Sequence, residues 1–155
     1  MIDFYQGNLR DIEHFLKVWA YAKTIGEQES VDENTQGILE LAAVVHDISC
    51  PLCREKYGNT NGKNQEFESE PLVKEFFEGM PVSEQKVERI IWLVTHHHTY
   101  TNIDGIDYQI LIEADFLVNA SESNFSKVSI ENAKSRIFKT AAGCRLLESI
   151  FLREE

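Results

Sequence analysis

Three consecutive histidines occupy the stretch THHHTY, residues 95–100, in a chain that has five histidines in all. Imidazole nitrogens bind transition-metal ions, and the ring changes its charge near neutral pH, so such a run suits metal binding or proton transfer. Successive residues of a helix are turned by about 100°, so the three side chains cannot all face one ion. The three histidines must therefore have different roles.

The apolar stripe before the run indicates this division. The stripe consists of Val87, Ile90, Ile91 and Val94. Continuing it by three and four helical residues leads to His97 and His98, whereas His96 falls on the other side. We expect His97 to face a pocket. If the helix continues through the run, His98 is the second pocket residue and His96 lies at the surface or behind the binding residues; if the helix ends early, the pair is either 96–97 or 97–98.

A second unusual pair, His46 and Asp47, ends the apolar segment LAAVVHDIS. Burying an unpaired charge costs several kcal/mol or shifts the pKa of the group until it is neutral. A divalent metal would satisfy both side chains, because imidazole nitrogen and carboxylate oxygen are ordinary ligands. The structural alternative is that Asp47 caps a neighbouring helix and that His46 is a hydrogen-bonded core residue. For an isolated pair, that alternative is favoured.

The pair is not isolated. Asp115 interrupts the apolar segment YQILIEADFLVNA, and His14 lies on a buried flank of LRDIEHFLKVWAYAKTIG. Helical bundles build metal sites from side chains on facing helices. Four inward His and Asp residues from three helices therefore predict a metal site. Glu113, next to Asp115, is expected to reach solvent or to support the site from behind.

The order of these residues resembles the order of metal ligands in the HD-domain superfamily of metal-dependent phosphohydrolases. The superfamily is named after its adjacent His and Asp. The motifs IEH, AAVVHDI, LVTHHH and EADFLVN carry the resemblance, which covers about residues 9–120. The resemblance implies a helical bundle whose divalent metal is bound by His14, His46, Asp47 and Asp115. It also implies that Asp47 orients the attacking water.

The chain departs from the binuclear members of this superfamily. Those members have a further histidine after the His-Asp pair, whereas the segment NQEFESEPLVKEFF has none. It carries Gln65, Glu66, Glu68 and Glu70 instead. We therefore expect one tightly bound ion of Fe, Mn, Ni, Co, Zn or Mg. The histidines 96–98 would then serve a second metal or the substrate.

The reaction that the resemblance implies is hydrolysis of a small phosphate ester, nucleotide or dinucleotide by a metal-activated water. The proton for the leaving group would come from His97 or His98, or from Glu66 or Glu68. The candidate phosphate-binding cations follow the His-Asp pair and are Arg54, Lys56 and Lys63. The alternative function is a catalytically weak ligand-binding or regulatory module that retains the pocket.

The motif CPLC, residues 50–53, invites a redox or zinc interpretation. A zinc site needs a second pair of ligands, which Cys144 alone does not supply. A thioredoxin-like motif opens a helix after a strand, whereas this one follows a core helix. We interpret its position near the predicted metal as incidental.

Helical periodicity predicts an all-α, compact bundle of about six or seven helices. The helices are expected over residues 9–26, 37–49, 71–79, 83–98, 108–120 and about 132–151, with a long surface loop between the second and third. No alternating pattern of a β-strand competes. We interpret residues 1–155 as a single domain.

The amino-acid composition limits the kinds of molecule that the protein can bind. The 155 residues have a net charge of −11 and a pI near 4.9, so nucleic-acid duplexes and anionic membranes would be repelled. No segment approaches the roughly 20 apolar residues that cross a bilayer. Three cysteines fit a reducing compartment, so we expect a cytoplasmic protein. The expected partner is a small phosphorylated molecule or nucleotide, and a homodimer is compatible with the sequence.

Overall fold

The computed structural model describes residues 1–153, and over this range the chain is helical and has no β-strand. Its eight helices are α1 (Leu9–Gln28), α2 (Glu33–Val45), α3 (Cys50–Tyr57), α4 (Gly62–Phe77), α5 (Glu84–Val94), α6 (Ile106–Glu122), α7 (Lys127–Arg136) and α8 (Ala141–Phe151). The predicted all-α class is confirmed. None of these helices is long and apolar enough to span a membrane.

The helix α6 lies at the centre of the bundle. Its residues 107–118 are all buried, because α1, α2, α5 and α8 pack around it. α1 packs against α6 and α2, and α2 packs in turn against α5 and α6. A polar residue in the middle of α6, such as Asp115, therefore lies in the interior whichever way it points.

The His-Asp pair lies just beyond α2. The helix ends at Val45, and a tight turn follows in which the N–H of Ile48 donates to the Val45 carbonyl and the N–H of Cys50 donates to the Asp47 carbonyl. The predicted helix over 37–49 is therefore wrong at its C-terminal end. The turn leads directly into α3, so the CPLC motif forms the first turn of that helix.

The prediction of a long surface loop after α2 is wrong. Most of the segment forms α3 and the first half of α4. The Asn61 side chain begins α4 by accepting the backbone N–H groups of Lys63 and Asn64. Pro71, which was expected at the first position of a helix, lies inside α4. Of the polar residues that suggested a loop, Asn61 caps this helix, Lys63 and Glu70 face solvent, and Gln65 and Glu68 are buried.

The predicted last helix over 132–151 is two helices, α7 and α8, and Glu113 of α6 binds the connection between them. Its carboxyl group accepts the backbone N–H groups of Lys139 and Thr140 at 2.7 and 3.0 Å and the side-chain amide of Gln109 at 2.6 Å. Glu113 is fully buried. The expectation that it reaches solvent or supports the metal site is therefore wrong, because its partners belong to the α7–α8 connection.

Removing the Glu113 carboxyl group should destabilise the fold strongly. In Glu113→Ala the buried N–H of Thr140 and the partly buried N–H of Lys139 lose their acceptor, and we expect the free energy of unfolding to fall by about 3 kcal/mol. Chemical denaturation measures this change.

The matched control is Glu148→Ala, which also removes a glutamate that joins α7 and α8. Glu148 pairs with Lys134, and both side chains are nearly half exposed. Such a pair contributes at most about 1 kcal/mol. Equal losses of stability in the two variants would contradict the role assigned to Glu113.

Candidate metal centre

The residues that the sequence predicted to bind metal meet in the interior. His14 Nε2 lies 3.2 Å from both His46 Nε2 and Asp115 Oδ1, and His46 Nε2 lies 3.5 Å from the same oxygen. Asp47 Oδ2 is 3.5 Å from His14 Nε2 and 3.7 Å from His46 Nε2. His97 joins through Nε2, which is 3.5 Å from Asp47 Oδ1. These five residues are called the His/Asp cluster below.

The burial expected for the histidines and for Asp115 is confirmed. His46 and His97 have no exposed surface, and His14 and Asp115 are also buried. Asp47 differs, because its side chain remains 21% exposed. It is therefore the most exposed member of the cluster.

Hydrogen bonds on the far side of each ring determine which nitrogen faces the cluster. Nδ1 of His46 lies 2.8 Å from the Ala43 carbonyl, and Nδ1 of His97 lies 2.7 Å from the Val94 carbonyl. A carbonyl only accepts, so each Nδ1 carries the proton, and in a neutral ring Nε2 keeps its lone pair. Nδ1 of His14 donates in the same way to Glu122, at 3.0 Å.

The convergence of lone pairs requires a positive charge. Two imidazole nitrogens and a carboxylate oxygen at 3.2–3.5 Å repel one another unless a proton or a metal ion lies between them. Nε2 of His97 and Nε2 of His98 are buried and have no hydrogen-bond partner within residues 1–153. A divalent ion would satisfy these nitrogens, so the donor set fits a metal.

Three overlapping sets of donor atoms lie close enough to hold an ion. Within each set the atoms are within 4.8 Å of one another. The sets are His14, His46 and Asp115; His46, Asp47 and His97; and His97, His98 and Asp115. The cluster can therefore hold an ion near the predicted ligands and offers further donors beside it.

The acid–base state of the cluster follows from its charges. Burial alone would lower the pKa of His14, but the hydrogen bond to Asp115 and the charges of Asp47 and Asp115 raise it to about 9. Burial alone would raise the pKa of Asp115, but the hydrogen bond from His14 and the nearby His46 and His97 imidazoles hold it well below its usual range. The neighbouring imidazoles lower the pKa of Asp47 in the same way. A proton on His14 thus provides the positive charge that an ion would replace.

The histidine run divides as predicted, but for a different reason. α5 ends at Val94, so the helical phase does not extend through the run. His97 is fully buried, and the half-buried His98 ring lies beside it with ring centroids 3.9 Å apart. His96 stacks on the exposed Trp92 ring at 3.8 Å. The turn is held by Tyr108 of α6, whose hydroxyl contacts the His96 and Thr99 carbonyl oxygens.

Several residues predicted to be catalytic or to bind phosphate have other partners. Glu68 accepts from Lys56 Nζ at 2.5 Å and from the Tyr57 hydroxyl, which ties α4 to α3. Glu66 accepts from the backbone and side chain of the turn that follows the histidines. Lys63 is exposed on α4. The structure therefore does not bring Lys56, Lys63 or Glu68 to the His/Asp cluster.

A cavity of about 400 Å³ opens over the cluster, where it is lined by His14, Asp47 and Asp115. Its other walls include Arg10, Arg54, Gln65, His98 and Cys50. Arg54 was predicted, and its guanidinium pairs with Asp11. Arg10 was missed, although it precedes His14 by about one helical turn, which places both on the same side of α1.

Three further residues missed by the sequence analysis support the cluster from behind. Glu122 binds His14 and also Lys17, at 3.0 and 3.1 Å. The Asn119 amide donates to Asp115 Oδ1 at 2.8 Å, and Tyr108 holds the histidine turn. The spacing of Asp115, Asn119 and Glu122 along one side of α6 was the available signal.

The CPLC motif places one thiol at the cavity. Cys50 lines it, whereas Cys53 is fully buried. Burial and the charge of Asp47 raise the pKa of the Cys50 thiol. A thiol with a raised pKa is a poor nucleophile, so Cys50 acts as part of the cavity wall.

The comparison with known families agrees with this geometry. The family model described as HD domain matches residues 11–139, a range that includes every member of the His/Asp cluster. No curated protein and no solved structure matches the chain significantly. The match covers most of the chain, and the chain therefore belongs to the HD domain family.

Proposed function

We propose that the protein is a metal-dependent phosphohydrolase that acts on a small phosphate ester, nucleotide or dinucleotide. One observation carries the proposal: imidazole nitrogens and two carboxylates converge at the floor of a cavity whose walls include Arg10 and Arg54. Membership of a family of metal-dependent phosphohydrolases supports it. The cavity volume of about 400 Å³ suits a small substrate.

The predicted ligands are His14, His46, Asp47 and Asp115. A divalent ion held there would supply a water of lowered pKa and would polarise the phosphoryl oxygen. Asp115 is almost fully buried and receives hydrogen bonds from its neighbours, so its role is to bind and to compensate charge. Asp47 is partly exposed to the cavity, and its low pKa keeps it a hydrogen-bond acceptor at neutral pH. Asp47 is therefore suited to orient the attacking water.

The two pocket histidines differ in their ability to carry a proton. Burial lowers the pKa of His98 to about 4. Burial would also lower the pKa of His97, but the Asp47 carboxylate, whose Oδ1 lies 3.5 Å from Nε2, raises it above the ordinary value. Of the two, His97 is therefore the proposed source of the proton for the leaving group, because it retains a proton closer to neutral pH. Its ring is fully buried and lies behind Asp47, so the proton would have to pass by way of Asp47 or the attacking water.

The proposed phosphate-binding residues are Arg10 and Arg54, which both line the cavity. Asp11 accepts from both terminal nitrogens of Arg54, which fixes the plane of the guanidinium at the mouth of the cavity. The guanidinium has five N–H donors, so this pairing leaves others for a phosphate oxygen. Lys56 is a weaker candidate, because Glu68 binds its ammonium group.

A second candidate function is a ligand-binding or regulatory module without turnover. Gln65 favours it, because this residue lines the cavity in the segment where binuclear members of the superfamily have a histidine. Phosphomonoesters, phosphodiesters and nucleotides tested with Mn²⁺, Ni²⁺, Co²⁺ and Mg²⁺ separate the two functions. The hydrolase releases phosphate or nucleoside product, whereas the module shows only a ligand-dependent rise in melting temperature.

Removing a predicted ligand should abolish metal binding. Loss of a supporting hydrogen bond alone weakens metal binding by about 10–100-fold, so His46→Ala and Asp47→Ala should each reduce affinity at least that much and eliminate hydrolysis. Metal analysis of chelated and reloaded protein measures the first effect, and product release measures the second. Retention of metal by both variants would show that the site is wrongly assigned.

His96→Ala is the matched control for the same experiment. It removes an imidazole from the histidine run, but this ring stacks on Trp92 outside the cluster. We expect it to retain metal and activity, whereas His97→Ala should lose activity. The reverse order of the two variants would contradict the division of the run.

Metal binding should release a proton from His14. The pKa of His14 is raised to about 9, so the ring is protonated at pH 7.5 and must lose that proton before Nε2 can bind an ion. Apparent affinity should therefore rise by about tenfold per pH unit up to pH 9 and then level off. Calorimetry at pH 7.5 in buffers with different ionisation enthalpies counts the proton. A binding enthalpy that is independent of the buffer would contradict this prediction.

A further inference from the structure

The first two turns of α4 contact the segment that contains His98. The Glu66 carboxylate accepts the backbone N–H of His98 at 3.2 Å and the hydroxyl of Thr99 at 3.2 and 3.5 Å through its two oxygens. These hydrogen bonds join residues more than 30 positions apart in the chain. α4 is thereby fastened to the turn that carries the pocket histidines.

Gly62 contacts the same histidine from the same side of α4. It precedes Glu66 by four residues, so the two lie on one face of the helix. A Cβ atom at Gly62 would lie 2.7 Å from Cγ and 2.9 Å from Cβ of His98. Because that side chain is rigid so close to its backbone, a methyl group there would have to displace the whole histidine.

His98 depends on these contacts because no helix holds it. α5 ends four residues earlier, and Tyr108 fixes the turn only through the carbonyl groups of His96 and Thr99. The His98 ring lines the cavity beside His97, and its Nε2 is buried with no hydrogen-bond partner in residues 1–153. The direction of this imidazole is therefore set by α4.

We propose that Glu66 and Gly62 are positioning residues that hold the His98 imidazole in the donor set formed with His97 and Asp115. Glu66 then serves as a hydrogen-bond acceptor for the turn and has no part in proton transfer. The contacts of Glu66 and Gly62 with His98 are observed in the structure. The inference that they affect metal binding rests on the proposed function.

Glu68 is the matched control for Glu66. It is the same residue type on the same helix and is also engaged by hydrogen bonds, but its partners are Lys56 and Tyr57 of α3. Gly62→Ala tests the second contact. Because Gly62 is the first residue of α4, the melting temperature of this variant shows whether the helix still folds.

The first experiment uses metal-free protein and measures amide hydrogen exchange of His98 by NMR. Glu66→Ala removes the acceptor of this N–H, so exchange should accelerate by about tenfold or more. Glu66→Gln keeps an acceptor oxygen and should show a smaller change, and Glu68→Ala should leave His98 unchanged. Equal exchange of His98 in wild type and Glu66→Ala would overturn the proposal.

The second experiment titrates the same proteins with Co²⁺ and follows its absorption spectrum. Glu66→Ala and Gly62→Ala should bind Co²⁺ about tenfold more weakly than wild type, and Glu68→Ala should match wild type, with melting temperatures confirming that all are folded. Faster exchange with unchanged Co²⁺ affinity and spectrum would overturn the positioning role. Wild-type protein that binds no Co²⁺ would instead overturn the proposed function, and the exchange experiment would still decide whether Glu66 holds His98.

Discussion

The constraint on which this structure depends is the burial of imidazoles and two carboxylates around a single positive charge. Each group would cost several kcal/mol to bury alone, and together they are stable only if a proton or a metal ion lies among their lone pairs. His14, His46, Asp47 and Asp115 meet this condition with donor atoms 3.2–3.7 Å apart. The bundle is arranged so that three separate parts of the chain reach that point.

The surroundings of the cluster determine its chemistry more than the ligands do. Main-chain carbonyls of Ala43 and Val94 hold the protons of His46 and His97 on Nδ1, which directs both Nε2 atoms inward. Glu122 holds the proton of His14 on Nδ1 in the same way. Because these partners lie on helices that pack tightly, the rings cannot turn away. Such preorganisation lets a site bind an ion without reordering its own side chains.

The cavity wall carries charges of both signs within an acidic protein. The chain carries a net charge of −11, which repels anionic substrates at long range. Arg10 and Arg54 line the cavity, but so do the carboxylates of Asp11, Asp47, Asp115 and Glu122. In the proposed function, attraction of a small phosphate would therefore depend on these two guanidinium groups and on a metal ion that offsets the carboxylates, and it would act over the short distances within the cavity.

The sequence alone determined the helical class and the buried positions of His14, His46 and Asp115, because helical period and side-chain polarity are local properties. The different surroundings of His96 and His97 depend instead on the turn after α5, which begins before the histidines. It did not show that α4 begins at Gly62, since an Asn-Gly-rich segment resembles a loop until its cap and packing are known. Nor did it reveal the bonds from Glu113 to Thr140 or from Glu66 to His98. Those contacts join residues more than 25 positions apart, and only the docking of helices against one another decides which distant polar groups become neighbours.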